Sequence, residues 1–300
     1  MDSKRILILG GAGMLGHKVW LTFKDQFDTY VTFRKPFEKY SRLKIFDPSK
    51  TFAGITTDNK ESFKGIFNKI KPDFVINCIG VVAQLPEAKD PIISLKVNAL
   101  WPHELEKICH ECGAKLIHIS TDCVFSGNKG NYSEDDPTDA RDLYGQTKAM
   151  GELHNPPSLT IRTSIVGRSL EASISLLDWF FGLRPKEKIR GFTQVLYNGL
   201  TTIRLSETLA WIIQKHPDLS GLYQIASQPI AKYDLLKKLQ KAFGLDIEIT
   251  PFDDFRCDRS LNGSHFNKAT CFSPPSWDEM IEGLVKENSF YQGLKNAVRR

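Results

Sequence analysis

A run of closely spaced glycines follows the first apolar segment of this 300-residue chain. Residues 10–16 are GGAGMLG; the preceding RILIL predicts a buried strand, and residues 14–23 predict a helix. Glycines at this spacing permit a tight turn, a close approach of the backbone to a pyrophosphate and close packing of helix on strand. Free N–H groups at the helix start would face the phosphates. This context predicts a dinucleotide-binding unit, with a purely structural turn as the alternative.

The rest of the first half alternates short apolar runs with helical patterns. Such alternation predicts a parallel sheet covered by helices on both faces, and so an α/β fold of the Rossmann type, doubly wound, with a smaller C-terminal α/β substrate lobe. We expect residues 1–167 to form the dinucleotide domain, with 192–216 returning to it, and 168–191 and 217–300 to form the lobe. The predicted strands are 5–9, 29–33, 44–46, 74–79, 115–119, 159–165, 222–226 and 247–250, and the predicted helices are 14–23, 60–70, 97–112, 144–153, 173–181, 202–216 and 232–243.

Composition excludes several functional classes. The chain has 40 Lys and Arg against 35 Asp and Glu, spread along its length, so its charge of +5 does not indicate a nucleic-acid-binding protein. No apolar stretch is long enough to span a membrane. The six cysteines lack the spacing of a disulfide framework, which favours free thiols and a reducing compartment. Together with the absence of a signal-peptide pattern, this predicts a cytoplasmic protein.

The end of the second predicted strand indicates which cofactor the loop would bind. An acidic residue there would bind the ribose of NAD, whereas a basic residue accommodates the 2′-phosphate of NADP. The chain has Arg34 and Lys35 at this place. Because a guanidinium binds phosphate through a planar fork, we expect NADPH rather than NADH, with Arg34 as the main contact. The alternative is that both are solvated loop cations.

Three further segments predict a catalytic site. Thr121 follows a buried strand, and Tyr144 and Lys148 lie four residues apart on one helix face. A nearby ammonium is expected to lower the pKa of the Tyr144 phenol from its usual value of about 10. A tyrosine tuned in this way can give a proton to a carbonyl oxygen while hydride reaches the carbon. Thr121 could hydrogen-bond the same oxygen, and Asn98 lies in the helix before that strand.

Taken together, the quoted motifs resemble those of a known family. GGAGMLG, VINCIG, KVNALWP, STDCVFSG, YGQTK followed by GE, and IRTSIVGR occur in the order and spacing of the extended short-chain dehydrogenase/reductases. Among these the chain is most similar to the dTDP-4-dehydrorhamnose reductase group. The resemblance covers nearly the whole chain and is loosest beyond residue 167. It implies reduction of a keto group on a nucleotide sugar, with Tyr144 as proton donor, Lys148 on the nicotinamide ribose and Thr121 orienting the keto group.

The resemblance also implies a set of binding residues. The cofactor set is Gly10, Gly13, Met14, Leu15, Gly16, Arg34, Lys35, Thr57, Asp58, Cys78, Gly80, Val81, Asn98, Tyr144 and Lys148. The substrate set is Val82, Thr121, Asp122, Cys123, Thr163 and Arg259, the last in a segment that contacts the nucleotide diphosphate in the family. Cys123 replaces an aromatic residue usual in the family, so the sugar stays open. The C-terminal lobe matches the family only in outline, so the base, dTDP or UDP, stays open as well. Mg²⁺ at the acidic loop 134–136 is known from some relatives, but a solvated loop is the preferred interpretation.

The expected activity is NADPH-dependent reduction of the C4 keto group of a 4-keto-6-deoxy sugar, in the synthesis of surface-polysaccharide sugars. A 4-epimerase is an alternative, which the basic pair at 34–35 disfavours, and a dehydratase would need a Glu after Asp122. A non-catalytic NADP-binding regulatory subunit is the other alternative, which the intact Tyr144, Lys148 and Thr121 disfavour. The sequence indicates no binding partner beyond the nucleotide sugar, neither nucleic acid nor a membrane. Homodimers are common in the family, so a homodimer is possible for this chain. His17, directly after the glycine loop, is expected to serve packing or to lie at the surface.

Overall fold

The structure is a computed structural model that describes residues 3–170 and 175–299. Its helices are α1 (Gly16–Phe23), α2 (Glu38–Ser41), α3 (Lys60–Ile70), α4 (Pro91–Ser94), α5 (Trp101–Glu111), α6 (Leu143–Met150), α7 (Leu176–Phe181), α8 (Thr202–Lys215), α9 (Lys232–Phe243), α10 (Ser264–Thr270), α11 (Trp277–Lys286) and α12 (Asn288–Arg299). Its strands are β1 (Arg5–Leu9), β2 (Asp28–Thr32), β3 (Thr51–Phe52), β4 (Phe74–Asn77), β5 (Lys115–Thr121), β6 (Leu159–Thr163), β7 (Ile165–Val166), β8 (Lys188–Phe192), β9 (Val195–Tyr197), β10 (Leu200–Thr201), β11 (Gly221–Gln224), β12 (Ile230–Ala231), β13 (Glu248–Phe252) and β14 (Cys257–Asp258).

Seven strands form one parallel sheet in the order β11-β6-β5-β4-β1-β2-β3. The sheet is covered on both faces, as β1 shows. Ile6 and Ile8 of this strand join one hydrophobic cluster, and Leu7 and Leu9 join the other. Because successive strand residues point to opposite faces, a continuous apolar run is what a strand buried on both sides requires. The expected α/β, doubly wound Rossmann-type fold is confirmed.

The strand order reverses between β1 and β4. Ligands of doubly wound sheets bind at the carboxyl ends of the strands next to such a switch point. The glycine loop follows β1 at this place, and the backbone of Cys78 follows β4. The topology therefore brings the two loops together at the edge where a dinucleotide would lie.

The third strand was predicted in the wrong place. Residues 44–46 are not a strand; the edge strand is β3, which pairs with β2 through Val31 and Thr51. Lys44 has a φ of +54°, which turns the chain, and Phe46 is buried among aromatic side chains. The apolar character of this segment thus reflects burial of a loop side chain rather than strand pairing.

The predicted helix 97–112 begins earlier, at Pro91, where Asp90 caps α4 by accepting hydrogen bonds from the N–H groups of Ile92 and Ile93. Between α4 and α5, Leu95–Leu100 forms a π-helical segment. Such segments frequently lie at functional sites. Asn98, one of the predicted site residues, lies in it.

Among the described residues of the second half, short strands form three small sheets. These pair β8 with β13, β9 with β12 and β14, and β7 with β10. The predicted strand 222–226, assigned to the substrate lobe, corresponds to β11 and pairs with β6 in the large sheet. The preceding helix α8 packs against α1. Helix 173–181 is described from Leu176 onward, and its residues 173–174 lie outside the described part. The division of the chain into two lobes stays a prediction.

Candidate functional site

The glycine loop is closed by contacts that leave no room for side chains. Gly10 has a φ of +79°, and a Cβ there would lie 3.1 Å from the backbone of Cys78. A Cβ on Gly16 would lie 2.2 Å from the carbonyl oxygen of Gly10. Gly13, which is exposed, is followed by Met14 and Leu15, and these two residues connect the turn to α1. The loop therefore presents bare backbone at the switch point, as a pyrophosphate site requires.

The basic pair lies at the end of β2, as predicted. Arg34 is exposed, and Lys35 is partly exposed. The N–H of Ile55 donates to the carbonyl of Phe33 at 2.9 Å, so the loop with Thr57 and Asp58 runs beside this pair. Asp58 in turn pairs with Lys96 at 3.4 Å on the surface. The structure thus brings the residues predicted at the adenosine end to one side of the glycine loop.

Asn98 holds the loop that follows β4. Its side-chain oxygen accepts from the N–H of Val81 at 2.9 Å, and its amide donates to the carbonyl of Val81 at 3.0 Å. The same amide lies 3.4 Å from the Thr147 hydroxyl of α6. Asn98 is almost fully buried, so its polar atoms act through Val81 and the neighbouring Gly80 and Val82. It is a positioning residue for this loop, and direct contact with a cofactor has no support in its hydrogen bonds.

Thr121 ends β5 and is held by its neighbours. Its hydroxyl donates to Asp122 at 3.1 Å and accepts from the N–H of Cys123 at 3.2 Å. Burial raises the pKa of the Asp122 carboxyl, opposed by hydrogen bonding to Thr121 and by the charge of Arg259. Burial also raises the pKa of the Cys123 thiol to about 12, so this thiol is protonated at neutral pH. A neutral thiol is a weak nucleophile, which leaves Cys123 as a wall of the site.

Tyr144 and Lys148 lie on α6, whose start is capped by Asp142 accepting from the N–H of Gly145 at 2.9 Å. Lys148 is buried, and its ammonium donates to the carbonyl of Ile119 at 2.8 Å. Burial lowers its pKa to about 8, opposed by the charge of Glu152. The predicted pair therefore meets the end of β5, where Thr121 lies.

The expectation for the Tyr144 phenol was wrong in direction. Burial, with the neighbouring Cys123, raises its pKa above the usual value, and hydrogen bonding with Thr121 opposes this only in part. Lys148 does not offset the shift, because its ammonium is directed at a backbone carbonyl. Desolvation outweighs the charge effect that the four-residue spacing predicted. Tyr144 consequently keeps its proton at neutral pH, the state a proton donor needs.

The two predicted substrate residues farther along the chain differ in placement. Arg259 points a guanidinium nitrogen at the Cys123 sulfur, 3.6 Å away, so it does join the Thr121 site. Thr163 is buried, and its hydroxyl donates to the carbonyl of Ile225 at 2.8 Å, beyond the end of β11. That bond joins two neighbouring chain segments and uses the donor that a substrate contact would need. The structure therefore gives no support for Thr163 as a direct ligand.

The sequence of this chain matches a known protein family. Residues 4–173 match the family model described as the RmlD substrate binding domain. The chain belongs to the RmlD substrate-binding-domain family. The resemblance stated from the sequence motifs is thereby confirmed.

The relatives of this RmlD-family chain include proteins with different names. A dTDP-4-dehydrorhamnose reductase of Streptomyces griseus is 40% identical over 27% of this chain and 27% of the relative. A methionine adenosyltransferase 2 subunit beta of Xenopus laevis is 23% identical over 82% of the chain and 74% of the relative. The crystal structure of a Bacillus anthracis dTDP-4-dehydrorhamnose reductase in complex with NADP superimposes with a TM-score of 0.78 at 21% identity, covering 96% of this chain and all of that one. The last comparison supports the fold alone.

Sequence reasoning missed a buried network behind the RmlD-family site. Glu152 accepts two hydrogen bonds from Arg162, both at 2.8 Å, and one from Ser120 at 2.6 Å. All three side chains are almost inaccessible to solvent. The signal was present in β6, because LTIRT places an arginine in an otherwise buried strand, and a buried charge needs a partner. Ser120 precedes Thr121 directly, so the network holds the end of β5.

Carboxylates of the acidic loop 134–136 form a hydrogen bond and an ion pair with other groups of the protein. Glu134 accepts from the N–H of Gln224 at 2.8 Å, and Lys129 pairs with Asp136. Across the described part of the chain, no three His, Cys, Asp or Glu side chains come together as metal ligands would. Among the helices in residues 3–170 and 175–299, none combines the length and apolar character needed to cross a membrane.

Proposed function

We propose that this protein is an NADPH-dependent reductase that acts on the C4 keto group of a nucleotide-activated 4-keto-6-deoxy sugar. The observation that supports this most is the meeting of Thr121, Tyr144 and Lys148 at the same sheet edge as the glycine loop. The name dTDP-4-dehydrorhamnose reductase, which the Streptomyces griseus relative and the Bacillus anthracis structure share, also supports this activity. The surface-polysaccharide context, and a dTDP or UDP carrier, belong to this proposal.

The binding residues fit a dinucleotide. The bare backbone at Gly10, Gly13 and Gly16 suits the pyrophosphate, and the exposed Arg34 suits the 2′-phosphate of NADPH. When bound, NADPH supplies the hydride for C4. Lys148, beside the end of β5, would hold the nicotinamide ribose. Cys78, Gly80, Val81 and Val82 would border the dinucleotide and sugar, with Thr57 and Asp58 near the adenine.

Tyr144 would give its proton to the C4 oxygen as the carbon is reduced. Its raised pKa keeps it protonated before the reaction and makes the phenolate costly afterwards. Thr121 would donate its hydroxyl to the same oxygen by turning away from Asp122. Asp122, Cys123 and Arg259 would line the sugar, with Arg259 supplying positive charge for the substrate.

The test is oxidation of NADPH, followed at 340 nm, with dTDP- and UDP-linked 4-keto-6-deoxy sugars made in situ by a dehydratase. We expect oxidation with one of these sugars, slower oxidation of NADH, and a loss of about 10²–10⁴-fold in Tyr144→Phe, the usual contribution of a general acid. The variant should still bind NADPH, because the glycine loop, Arg34 and Lys148 are unchanged. Tight NADPH binding without any sugar-dependent oxidation would contradict the reductase.

That negative outcome would favour a cofactor-binding regulatory subunit. The alignment with the Xenopus laevis methionine adenosyltransferase 2 subunit beta, which covers 82% of the chain, is the observation behind this second candidate. The presence of Thr121, Tyr144 and Lys148 together disfavours it. The two candidates separate in the cell, because Tyr144→Phe should remove the function of a reductase and leave that of a subunit intact.

A further inference from the structure

A buried histidine outside the reaction site contacts the glycine loop. His17, in α1, is fully buried, and its Nδ1 lies 2.7 Å from the carbonyl oxygen of Gly13. Its Nε2 lies 2.7 Å from the hydroxyl of Tyr291. A carbonyl only accepts, so Nδ1 carries the proton and Nε2 accepts from the Tyr291 O–H. Burial lowers the pKa of His17 to about 4, which agrees with a neutral ring in a single tautomer.

Tyr291 belongs to α12, near the C-terminal end of the chain, 274 residues from His17. The Tyr291 ring meets the His17 ring edge-on, with centroids 5.8 Å apart. An ion pair of Lys18 with Glu287, at 2.6 Å, lies next to this contact. The start of α12 is thus fastened to the start of α1 by the His17–Tyr291 hydrogen bond and by Lys18, whose ammonium pairs with Glu287 and lies 5.1 Å from the centroid of the Tyr291 ring. Of these side chains, His17 is the one that contacts the Gly13 carbonyl of the glycine loop.

The Gly13 carbonyl determines where the next N–H points. It also accepts from the backbone N–H of His17 at 3.2 Å, while the N–H of Gly13 donates to Gly10 at 3.0 Å. The peptide between Gly13 and Met14 is planar and trans, so the Met14 N–H points opposite to the Gly13 carbonyl. Holding the carbonyl toward His17 therefore directs the Met14 N–H to the opposite side of the loop.

We propose that His17 and Tyr291 are a positioning pair that holds the glycine loop in its dinucleotide-binding conformation, so that the C-terminal helix supports the cofactor site. The inference rests on the proposed function, because it assumes that the loop binds NADPH. Neither side chain takes part in the reduction. Their effect falls on cofactor affinity, and therefore on the KM for NADPH rather than on kcat.

The experiment is direct titration of the full-length protein with NADPH, without any sugar. Tyr291→Phe keeps the ring and removes the donor, and we expect the Kd for NADPH to rise about fivefold, the size of one neutral hydrogen bond. His17→Leu should raise it further. His17→Asn should recover part of the affinity that His17→Leu loses, because the asparagine amide can donate to the Gly13 carbonyl from nearly the position of Nδ1 but does not reach Tyr291.

Glu287→Gln is the matched control, because it weakens the neighbouring ion pair and leaves the His17–Tyr291 bond in place. We expect its Kd to stay within about twofold of the wild type. An unchanged Kd in Tyr291→Phe, or equal losses in Glu287→Gln and Tyr291→Phe, would overturn the positioning role. Equal Kd values for His17→Asn and His17→Leu would do the same. A wild type that binds neither NADPH nor NADH would instead remove the proposed function, and this inference with it.

Discussion

At the carboxyl edge of the sheet, the glycine loop and the Thr121 region are built in opposite ways. Gly10 has a positive φ, and a Cβ on Gly16 would overlap the carbonyl oxygen of Gly10. Around Thr121 the space is filled by buried polar groups, including Lys148 and the Glu152–Arg162 pair. The glycine loop depends on the absence of side-chain atoms at its glycines. The Thr121 region depends on the pairing of buried charged groups. Substitutions that change only volume, or only charge, should separate the two.

The largest effect is expected from removing charge behind Thr121. Glu152→Gln leaves the Arg162 guanidinium buried without its carboxylate, and we expect the free energy of unfolding to fall by about 3–5 kcal/mol. Urea unfolding measures this. Glu248→Gln removes the same charge from an exposed pair with Lys188 and should cost less than about 1 kcal/mol. Similar losses in both variants would show that burial of the pair does not matter.

Adding volume tests the glycine loop. Gly16→Ala places a methyl group where the Gly10 carbonyl lies, and we expect a loss of about 1–3 kcal/mol in unfolding free energy together with weaker NADPH binding. The control is Gly65→Ala in α3, where a Cβ meets nothing within 4 Å. It should gain about 0.5–1 kcal/mol through helix propensity. A Gly16→Ala protein as stable as the wild type would contradict the close packing.

The pH dependence tests the charge of Lys148. With its pKa lowered to about 8, the ammonium is present below that pH and is lost as the pH rises through it. We expect kcat/KM to fall about tenfold per pH unit above pH 8, since this parameter reports the free enzyme. Tyr144, whose pKa is raised, keeps its proton in this range and adds no second decline.

Lys148→Arg supplies the control for this profile, because a guanidinium stays protonated throughout. Its absolute rate is expected to be lower, since the larger group fits the buried position poorly. Only the slope is compared, and the alkaline decline should disappear. The same decline in the variant would assign it to another group.

The smallest effect is expected at the surface end of the cofactor site. Arg34→Ala should lower the preference for NADPH over NADH about fivefold, because an exposed guanidinium–phosphate contact is screened by solvent. Arg42→Ala removes the same charge from another exposed position and should leave the preference unchanged. Competition titrations with both dinucleotides measure the ratio. An equal change in both variants would indicate general electrostatic attraction rather than recognition.

The sequence predicted best those features that depend on neighbours in the chain. The glycine loop, helix 60–70 and the apolar strands of the large sheet follow from local spacing. The edge strand was predicted at 44–46 instead of Thr51–Phe52, because a two-residue strand has no periodicity to detect and Phe46 is apolar for another reason. The strand at Gly221–Gln224 was predicted as part of the substrate lobe, and its pairing with β6 of the large sheet is a contact between distant parts of the chain that no local pattern indicates.

At the candidate site, the identity of the residues was easier to predict than their pKa shifts and hydrogen-bond partners. Thr121, Tyr144 and Lys148 could be selected from motif spacing. Whether the Tyr144 pKa rises or falls depends on how much water the fold removes and on where the Lys148 ammonium points, and neither is a property of spacing. The same holds for Thr163, whose hydroxyl is used by the carbonyl of Ile225.

By itself, the sequence determined the fold class and the place of the dinucleotide loop, because both arise from periodicity and from backbone freedom at a few glycines. Only the tertiary structure decided which polar groups are satisfied, which are buried and which support the loop from a distance. His17 and Tyr291 illustrate this, since 274 positions separate them and a single hydrogen bond joins them. Desolvation and long-range hydrogen bonding are set by the packing of the whole chain, and no local pattern of residues encodes them.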